Sequence, residues 1–400
     1  MKNTIFNKRG IVISIVFLFL GFTSCKMEIE KDEVERINIV EGLENSDTLK
    51  LSTIVSKIDY IKLETSNESL VSWPDKIDIE RGNLVLMDKR TFSFLRFDTT
   101  GRYINRIAKG GESLGDFCEL GSFFFCDAGT NVYLLNRVFK GEILKYSIDG
   151  HFKNVVKKGT GIHIQPNSNG EIYNLYLLNQ TNDSNNNTII VIDTSGNKKA
   201  DFLPQPGLHK LRQHNLPILN SQIYQYLDSI TFWQGRSDTI YRIGANKIIH
   251  PRYFLYSGKY KIPTRLLSDR NTFQEEINNY SHIIKFIETN DYFFFNVVIN
   301  RKMKYVLYNK KEKVATNVFN KTVNLLNDID KGLPFWPDGI LSDGRLYMLI
   351  DSKSILELGK SFNLGMSKIG FNLESSSKLS KIINSTKIDD NPILMIVTLK

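Results

Sequence analysis

The first candidates for metal chemistry are two histidines in a segment bounded by Pro204 and Pro217. His209 and His214 are five residues apart. Metal ligands must converge on one ion, and a spacing of five residues aligns side chains neither on a helix nor along a strand. No cysteine or cluster of carboxylates lies beside them, so we expect a basic loop and no metal site. Contact of this loop with an anionic ligand is the alternative.

Two pairs of adjacent carboxylates are candidates for acid and base catalysis, Glu275-Glu276 and Asp389-Asp390. A glycosidase needs two carboxyl groups that face each other across a sugar, whereas neighbours in a helix point to different sides. Both pairs are therefore interpreted as solvated charge. Serine catalysis has no support either, because no Gly-x-Ser-x-Gly elbow is present. We predict no catalytic residue.

Glycine pairs at Gly110-Gly111 and Gly159-Thr160-Gly161 are candidates for a phosphate-binding loop. A P-loop continues with Lys-Ser or Lys-Thr and a helix, and neither segment does. Both segments follow apparent strands, so turns between strands are the better interpretation. No cofactor is expected.

Tryptophans could bind sugars if their rings were exposed. Trp73, Trp233 and Trp336 are the only three, and Trp336 lies between Phe335 and Pro337 in an irregular stretch. Large aromatic side chains are more often buried than exposed. We therefore expect packing roles, with carbohydrate stacking at Trp336 as the alternative.

Cys25 is a candidate for covalent lipidation because of its position in the chain. A basic start with Lys2, Lys8 and Arg9 is followed by the apolar run 11–20 and then by Gly-Phe-Thr-Ser-Cys. A run this short is typical of a secretory signal rather than a membrane span. Phe22-Thr23-Ser24-Cys25 is similar to a lipobox, in which the cysteine thiol receives diacylglycerol. An ordinary cleaved signal or an uncleaved anchor helix are the alternatives.

This interpretation divides the chain into three parts. Residues 1–24 are predicted to be a lipoprotein signal peptide, residues 25–45 a lipidated flexible tether, and residues 46–400 the folded body. The lipid anchor is the only membrane contact expected, because no later apolar run is long enough to span a bilayer.

Cys118 and Cys126 are the only cysteines left in the predicted body. A disulfide between residues eight apart needs a hairpin that brings their Cα atoms within about 7 Å. Cys126 follows three phenylalanines in an apparent buried strand. We favour two unbonded core thiols, and a disulfide is the alternative.

The chain is basic, with a formal charge of +9. Its basic pairs Lys157-Lys158, Lys198-Lys199 and Lys310-Lys311 are dispersed beside turn residues, where lysines usually solvate strand edges and loops. No basic-aromatic motif accompanies them, so nucleic acid is not an expected partner.

Short strands separated by turn residues dominate the chain after the tether. The clearest are Asn83–Asp88, Asn131–Leu135, Thr188–Asp193, Thr239–Ile243, Tyr292–Ile299 and Met303–Tyr308. Helical periodicity is confined to Asn271–Ile284, where Phe273, Ile277, Tyr280 and Ile284 share one face. We therefore predict an all-β fold with one short helical insertion.

A hairpin pattern recurs along the chain. An apolar strand, then Asp or Asn, then Gly is found at 94–104 and returns at 143–152 and 189–197, with weaker copies at 239–247 and 305–311. The period is roughly 45 to 50 residues, which is typical of propeller blades. The pattern predicts a six-bladed β-propeller, closed by pairing of the strand-like segments 59–63 and 391–397.

In these hairpins the chain resembles the six-bladed β-propeller lipoproteins of Bacteroides-type bacteria, which are related to NHL-repeat propellers. The resemblance is carried by the Phe97–Gly101 hairpin with the loop 110–117, and by the segments 237–243, 251–255 and 390–394. The loop has Ser113-Leu114 where the family tends to have Gly-Pro. Residues 26–33 are also similar to the lysine-plus-acidic export signal of surface lipoproteins.

The resemblance implies an outer-membrane lipoprotein of the cell envelope, exposed at the surface. We expect a non-enzymatic binding module that uses one propeller face for a protein, peptide or glycan, although no ligand-binding residue is identified. The alternative is an extracytoplasmic enzyme similar to metal-dependent lactonases or lyases, with its site at the central channel.

Overall fold

The computed structural model describes residues 34–136, 141–159, 161, 163–167, 169–175, 187–204, 221–235, 237–263, 265–266, 270–318, 325–363 and 377–400. Residues from Val34 to Lys400 form one compact unit. Its strands are grouped in six separate sheets, and each sheet is one blade of a ring. The predicted all-β fold, a six-bladed β-propeller, is confirmed.

Blades 1 to 3 follow one another along the chain, and each is a four-stranded antiparallel meander. Blade 1 contains β3 (Lys76–Glu80), β4 (Asn83–Asp88), β5 (Ser93–Asp98) and β6 (Tyr103–Lys109). Blade 2 contains β7 (Leu120–Cys126), β8 (Asn131–Asn136), β9 (Glu142–Ser147) and β10 (Phe152–Lys158). Blade 3 contains β11 (His163–Pro166), β12 (Ile172–Leu175), β13 (Asn187–Ile192) and β14 (Lys198–Pro204).

Blades 4 and 5 continue the meander. Blade 4 contains β15 (Gln222–Tyr226), β16 (Ser229–Trp233), β17 (Thr239–Ile243) and β18 (Ile249–Tyr256). Blade 5 contains β19 (His282–Glu288), β20 (Tyr292–Ile299), β21 (Lys302–Asn309) and β22 (Val314–Asn317). The first strand of each of blades 1 to 5 is the innermost one: β7 lies next to β3 and β11, and β15 lies next to β11. Gln222 of β15 also forms two hydrogen bonds with the backbone of Phe286 in β19.

Blade 6 closes the ring with strands from both ends of the body. It contains β23 (Gly339–Ile340), β24 (Leu346–Ile350), β25 (Ile393–Leu399) and, as its outermost strand, β2 (Val55–Lys62). Val55 pairs with Leu399 and Lys62 with Ile393, so the strands are antiparallel. The predicted pairing of a terminal strand with strands from the other end is confirmed.

The N-terminal part of the body packs against blades 4 and 5. Strand β1 (Glu35–Asn38) is parallel to β18 and gives blade 4 a fifth strand. Helix α1 (Val40–Glu44) follows, and a β-carbon on its Gly42 would clash with Val306 of blade 5. The packed body therefore begins at Val34, whereas the sequence led us to expect a flexible tether up to residue 45.

The core is divided among the six junctions between blades. Each junction holds its own apolar cluster, because successive side chains of a strand point to opposite faces of its sheet and so into different junctions. Phe293 and Phe295 pack between blades 4 and 5, while Phe294 packs between blades 5 and 6. This two-sided burial explains the nearly unbroken apolar run of β20.

The recurring glycine of the hairpin pattern has a structural cause. Gly101, Gly150 and Gly196 have φ values of +93°, +93° and +84°, and each lies against the outermost strand of the preceding blade. A β-carbon at any of the three would clash with a backbone carbonyl of that strand. In the corresponding turns of blades 4 and 5, Lys247 and Lys313 take the positive-φ position instead.

The helical insertion is shorter than predicted. Helix α2 spans Arg270–Glu276 and is followed by a 3-10 turn at Ile277–Asn279, whereas residues 282–288 form β19. Phe273, Ile277 and Tyr280 pack with Leu266 as expected. Extending the helix to Ile284 was wrong, because His282–Ile284 are engaged in β19, where His282 and Ile283 pair with Val298 and Val297 of β20.

Two further helices, α3 (Ser352–Asn363) and α4 (Lys378–Ser385), lie between β24 and β25 and were not predicted. Ser377 caps α4 by accepting a hydrogen bond from the Ser380 backbone N–H, 3.1 Å away. In the described part of the chain, no helix has the length and hydropathy needed to cross a membrane.

Candidate functional site

The two ends of the propeller differ in the length of their connections. At one end, here called the hairpin end, the first strand of each blade turns into the second and, in blades 1 to 5, the third turns into the fourth, through two to five residues. At the other, the loop end, the second strand leads to the third and each blade leads to the next. The loop end carries the long connections, among them 63–75, 110–119, 257–281 and 351–392.

Four segments of the loop end, beside blades 6, 1 and 2, contact one another. They are residues 64–73, 88–92, 110–118 and 386–391, and we call them the loop ridge. Asn391 connects two of them, because it accepts a hydrogen bond from the Val71 N–H at 3.0 Å and donates to the carbonyls of Glu64 and Ser69 at 2.8 and 2.9 Å. Its side chain is buried, so these bonds are shielded from water.

Asp88 connects the next two segments of the loop ridge. It is fully buried at the end of β4, and its carboxylate accepts backbone N–H groups from Ser72 and from Trp73 at 3.0 Å, and from Arg90 and Thr91 at 2.8 and 3.3 Å. A charged acceptor bonded to several backbone donors holds both segments in one conformation.

Asn136 has the equivalent position at the end of β8. Its side-chain oxygen accepts the N–H groups of Cys118 and Glu119 at 3.0 and 3.2 Å. Sequence reasoning identified the strands of Asp88 and Asn136 but missed the role of these residues. The signal was available, since two equivalent apolar strands both end on a side chain that can accept hydrogen bonds.

Large apolar side chains of the loop ridge are exposed. Leu114 is 84% exposed, Phe92 50% and Trp73 37%, and Leu70 and Ile388 are exposed as well. Leu114 stands on an ordered loop: Gly115 has a φ of +87°, and its carbonyl accepts a hydrogen bond from the Tyr146 hydroxyl. The ridge thus presents apolar groups from a fixed backbone.

A pocket of about 490 Å³, here called the Phe92 pocket, lies within the loop ridge. It is lined by Thr91, Phe92, Arg106, Lys109, Gly110, Gly111, Glu112, Phe117 and Cys118. Phe92 has a φ of +49°, a conformation that is strained for a bulky residue. Its side chain is half-exposed at the pocket.

Within the described residues, the cations of the Phe92 pocket have no carboxylate at ion-pair distance. Arg106 donates to the Glu68 carbonyl at 3.4 Å. In the described part of the chain, neither Arg106 nor Lys109 forms an ion pair, and the pocket carboxylate Glu112 is likewise unpaired. Two exposed cations and one exposed anion therefore face solvent at this site.

A second pocket of about 470 Å³, here called the Lys62 pocket, lies where blades 6 and 1 meet. Its lining includes Lys62, Arg102 and Lys387. Lys62 pairs with Asp390 at 2.8 Å, and Arg102 pairs with Asp98 at 3.2 Å. Two of its three cations are therefore bound to carboxylates of the protein itself.

Two lysines of the innermost strands link neighbouring blades. The Lys76 ammonium donates to the Phe123 carbonyl at 2.6 Å and lies 3.6 Å from the centre of the Phe124 ring. Burial lowers the pKa of Lys76 to about 8. Lys285 donates to the Asp338 carbonyl, and burial lowers its pKa too. Each ammonium group thus donates a hydrogen bond to a backbone carbonyl of the next blade in place of one to water.

A buried carboxylate joins blades 4 and 5 near the hairpin end. The Glu288 side chain is fully buried and pairs with Arg252 at 2.7 Å and Lys310 at 2.6 Å. It also accepts the hydroxyl groups of Tyr224 at 2.7 Å and Tyr253 at 3.4 Å. Its oxygens are thus satisfied by the protein, and the cluster acts as a link between blades.

This cluster corrects the interpretation of one basic pair. Lys310 was expected to solvate a loop, but its side chain is only 12% exposed because its ammonium group is bound to Glu288. The other pairs do lie at exposed edges, where Lys158 contacts Glu142 and Lys199 contacts Asp193.

The cysteines of the body are both free. Cys126 is half-buried, and burial raises the pKa of its thiol to about 12. Cys118 is exposed in the Phe92 pocket and donates to the Gly111 carbonyl at 3.3 Å, so the expectation of two core thiols was wrong for this residue. It lies outside the core because Asn136 holds its backbone in the loop ridge.

Other candidates have ordinary packing or surface roles. Trp233 and Trp336 are buried, as expected, and the Trp336 indole donates to Asn296 at 2.6 Å. Glu276 pairs with Arg265 on the surface. Cys25, His209 and His214 lie outside the described residues, as does Thr160.

Among the residues that the structure describes, no group of three His, Cys, Asp or Glu side chains is arranged to hold a metal ion. The side-chain clusters described above are held by hydrogen bonds, ion pairs and apolar contacts.

The fold and the loop ridge define a six-bladed β-propeller with a candidate binding surface. The chain belongs to the family described as Domain of unknown function (DUF4934), whose model matches residues 34–398. No curated protein matches the chain.

Solved structures include similar propellers. A presumed exported protein from Bacteroides fragilis has a TM-score of 0.68 and 18% identity, covering 92% of this chain and 100% of its own. A duf4221 family member from Bacteroides vulgatus has a TM-score of 0.45 and 8% identity, covering 86% and 97%. Virginiamycin B lyase from Staphylococcus aureus has a TM-score of 0.40 and 14% identity, covering 73% and 80%. The first of these supports the predicted fold; the NHL relationship and the lipid anchor stay predictions.

Proposed function

We propose that this protein is a non-enzymatic binding module of the cell envelope that holds a partner protein at the loop end of its propeller. The observation that carries the proposal is the loop ridge, in which buried acceptors fix four segments that present exposed apolar side chains. Loops positioned by a rigid scaffold are a common basis for recognition. Exposed apolar groups that cluster on one surface are typical of interaction sites.

The rigidity of the ridge supports binding rather than simple exposure. Asp88 and Asn391 hold the backbone through buried hydrogen bonds, and Gly111 packs so closely on Asp116 that a β-carbon would clash. A surface already fixed in its bound conformation loses little entropy when a partner arrives. Leu114 and Phe92 are thus suited to be anchors of an interface.

The location is part of the proposal. The basic start, the short apolar run and Cys25 support a lipid anchor after signal cleavage, and the lysine-plus-acidic stretch 26–33 supports display at the outer membrane surface. Several acyl chains on one cysteine would hold the protein stably, since each buried methylene contributes roughly 0.8 kcal/mol.

Photo-cross-linking in the producing bacterium tests the proposed surface. A benzoylphenylalanine at position 114 is expected to form a covalent adduct with one envelope protein, and added purified mature chain should compete for it. Leu227 is the matched control, because it is 69% exposed on a turn of the hairpin end.

The outcomes are distinct. An adduct at 114 that is absent at 227 supports the loop ridge as the interface. The same adduct from both positions, or none from 114, contradicts the proposal. The Cys25→Ala variant separately tests the anchor, since it should leave the membrane fraction.

A further inference from the structure

We infer that the Phe92 pocket binds an acidic peptide segment of the partner, in which a carboxylate lies next to an apolar or aromatic side chain. The inference rests on the proposed function and names the ligand chemistry of the pocket within that surface. It follows from the size of the pocket, its two kinds of lining, and the apolar groups around it.

The volume of the pocket fits a short segment. At about 490 Å³ it lies within the range of roughly 300 to 1,000 Å³ that is usual for ligand sites. Its lining comes from three elements, the β4–β5 turn, the end of β6 and the loop 110–118, so this open surface pocket is formed by several parts of the fold rather than by one side chain.

One part of the lining is apolar. Phe92 is half-exposed, and Phe117 is buried at the same site. A glycine or asparagine would adopt the positive φ of residue 92 with little strain, yet the chain has phenylalanine there. Gly110 lies against this ring, since a β-carbon at 110 would be 3.4 Å from the Phe92 Cβ. The ring is therefore available for contact with an apolar side chain of a ligand.

The other part of the lining is cationic. Arg106 and Lys109 are exposed and, within the described residues, lack a carboxylate partner, while Glu112 is the only anion of the lining. Exposed cations often have no partner, so charge alone would not mark a site. Here the cations share a formed pocket with a strained, exposed aromatic ring, and the combination is complementary to a carboxylate beside an apolar group.

A peptide fits the surroundings better than a small anion. Leu114 and Trp73 are exposed on the segments that flank the pocket, and a ligand confined to the pocket would leave both in water. A segment of a partner protein would fill the pocket and cover these side chains with its own surface. The pocket then serves as the anchor point of the larger interface.

The test uses N-acetyl-glutamyl-phenylalanine amide as the probe and the purified mature chain as the protein. Ligand-observed NMR should detect binding of this dipeptide, and the affinity should be at least tenfold lower for the glutaminyl analogue. The Arg106→Gln/Lys109→Gln variant should lose at least tenfold in affinity. The Lys353→Gln/Lys381→Gln variant is the matched control, because it removes the same charge from exposed sites on α3 and α4 and should bind normally.

Equal binding of the acidic and neutral dipeptides, or an equal loss in both double variants, would overturn the inference. Preference for a uronic-acid disaccharide over the dipeptide would assign the pocket to a glycan instead and would also overturn it. A cross-link at position 114 that persists while the dipeptide fails to bind would remove the acidic-peptide assignment and leave the proposed function standing.

Discussion

The Phe92 pocket and the Lys62 pocket are nearly equal in volume, at about 490 and 470 Å³, and both contain arginine and lysine. They differ in what those cations contact. Lys62 and Arg102 are bound to Asp390 and Asp98, whereas Arg106 and Lys109 have no carboxylate partner in the described part of the chain. Cations that the protein neutralises contribute to structure, and cations that it leaves unpaired are available to a ligand.

The position of each pocket agrees with this division. The Lys62 pocket lies where the closing strand β2 meets the β5–β6 turn of blade 1, and Lys62 also donates to the Ser385 carbonyl. The Lys62–Asp390 pair lies at the seam of the ring, where the two ends of the body meet, whereas the Arg102–Asp98 pair lies within the β5–β6 turn of blade 1. The Phe92 pocket lies between two consecutive blades, where chain connectivity already holds the strands together, so its charges are not needed for closure.

The largest expected loss of stability comes from replacing Asp88, which holds the backbone of the loops beside the Phe92 pocket. Asp88→Ala leaves four backbone N–H groups without their buried acceptor, and we expect the free energy of unfolding to fall by about 3 kcal/mol. Urea unfolding measures the change.

Asp390→Ala is the control for this variant in the Lys62 pocket. It breaks a partly exposed ion pair, and the expected loss is about 1 kcal/mol. If both variants lost the same free energy of unfolding, Asp88 would contribute no more to stability than a partly exposed ion pair does.

Lys76 extends the comparison to a cation whose partner is a backbone carbonyl. Its folded-state pKa of about 8 lies below its ordinary value of 10.5, so the unfolded chain binds more protons between these values. The stability of the wild type should therefore rise relative to Lys76→Met as the pH increases from 7.5 to 10, by on the order of 2 kcal/mol. Urea unfolding at several pH values measures the difference, and Lys381→Met, at an exposed site, should show none. A constant difference for Lys76 would contradict the depressed pKa.

Freeing the cations of the Lys62 pocket should make it more like the Phe92 pocket. Asn at positions 98 and 390 removes the two negative charges while keeping an oxygen that can accept the backbone hydrogen bonds of both aspartates. In the double variant Asp98→Asn/Asp390→Asn, the affinity of the acidic dipeptide for this pocket should rise about threefold for each exposed ionic contact, and so up to about tenfold for Lys62 and Arg102 together. The measurement is made in the Arg106→Gln/Lys109→Gln background, so that binding at the Phe92 pocket does not mask binding at the Lys62 pocket. No gain would mean that the shape supplied by Phe92, rather than charge pairing, separates the two pockets.

The propeller could be predicted from the sequence because the blades repeat the same hairpin of two strands and a tight turn. The turn glycines recur because every third-to-fourth-strand turn of blades 1 to 3 lies against a carbonyl of the preceding blade. The copies in blades 4 and 5 were weak because Lys247 and Lys313 adopt the positive φ. The strand β1 could not be predicted, since its partner β18 is about 200 residues away and neither segment has a pattern that specifies the other.

The candidate site was less accessible to sequence reasoning for the same reason. The loop 110–117 was noticed, and its difference at Ser113-Leu114 places the exposed Leu114 at the ridge. The bonds that assemble the ridge are not local, however, because Asn391 contacts Val71 across 320 residues. Ion pairs between distant residues cannot be read from the sequence either, so it could not show that Lys62 has a carboxylate partner and that Lys109 has none among the described residues.

The smallest expected change in stability concerns the strained ring itself. Phe92→Gly relieves a positive φ and removes a half-exposed side chain, so the free energy of unfolding should stay level or rise by about 0.5 kcal/mol, while the affinity for the acidic dipeptide falls. Leu227→Gly is the matched control, since Leu227 has a φ of +50° and is exposed at the hairpin end. It should gain similar stability without any change in affinity. Urea unfolding and ligand-observed NMR on the two variants measure both quantities. A residue kept for folding would lower stability when replaced, whereas one kept for binding lowers only affinity, and a clear loss of stability in Phe92→Gly alone would assign Phe92 to the fold.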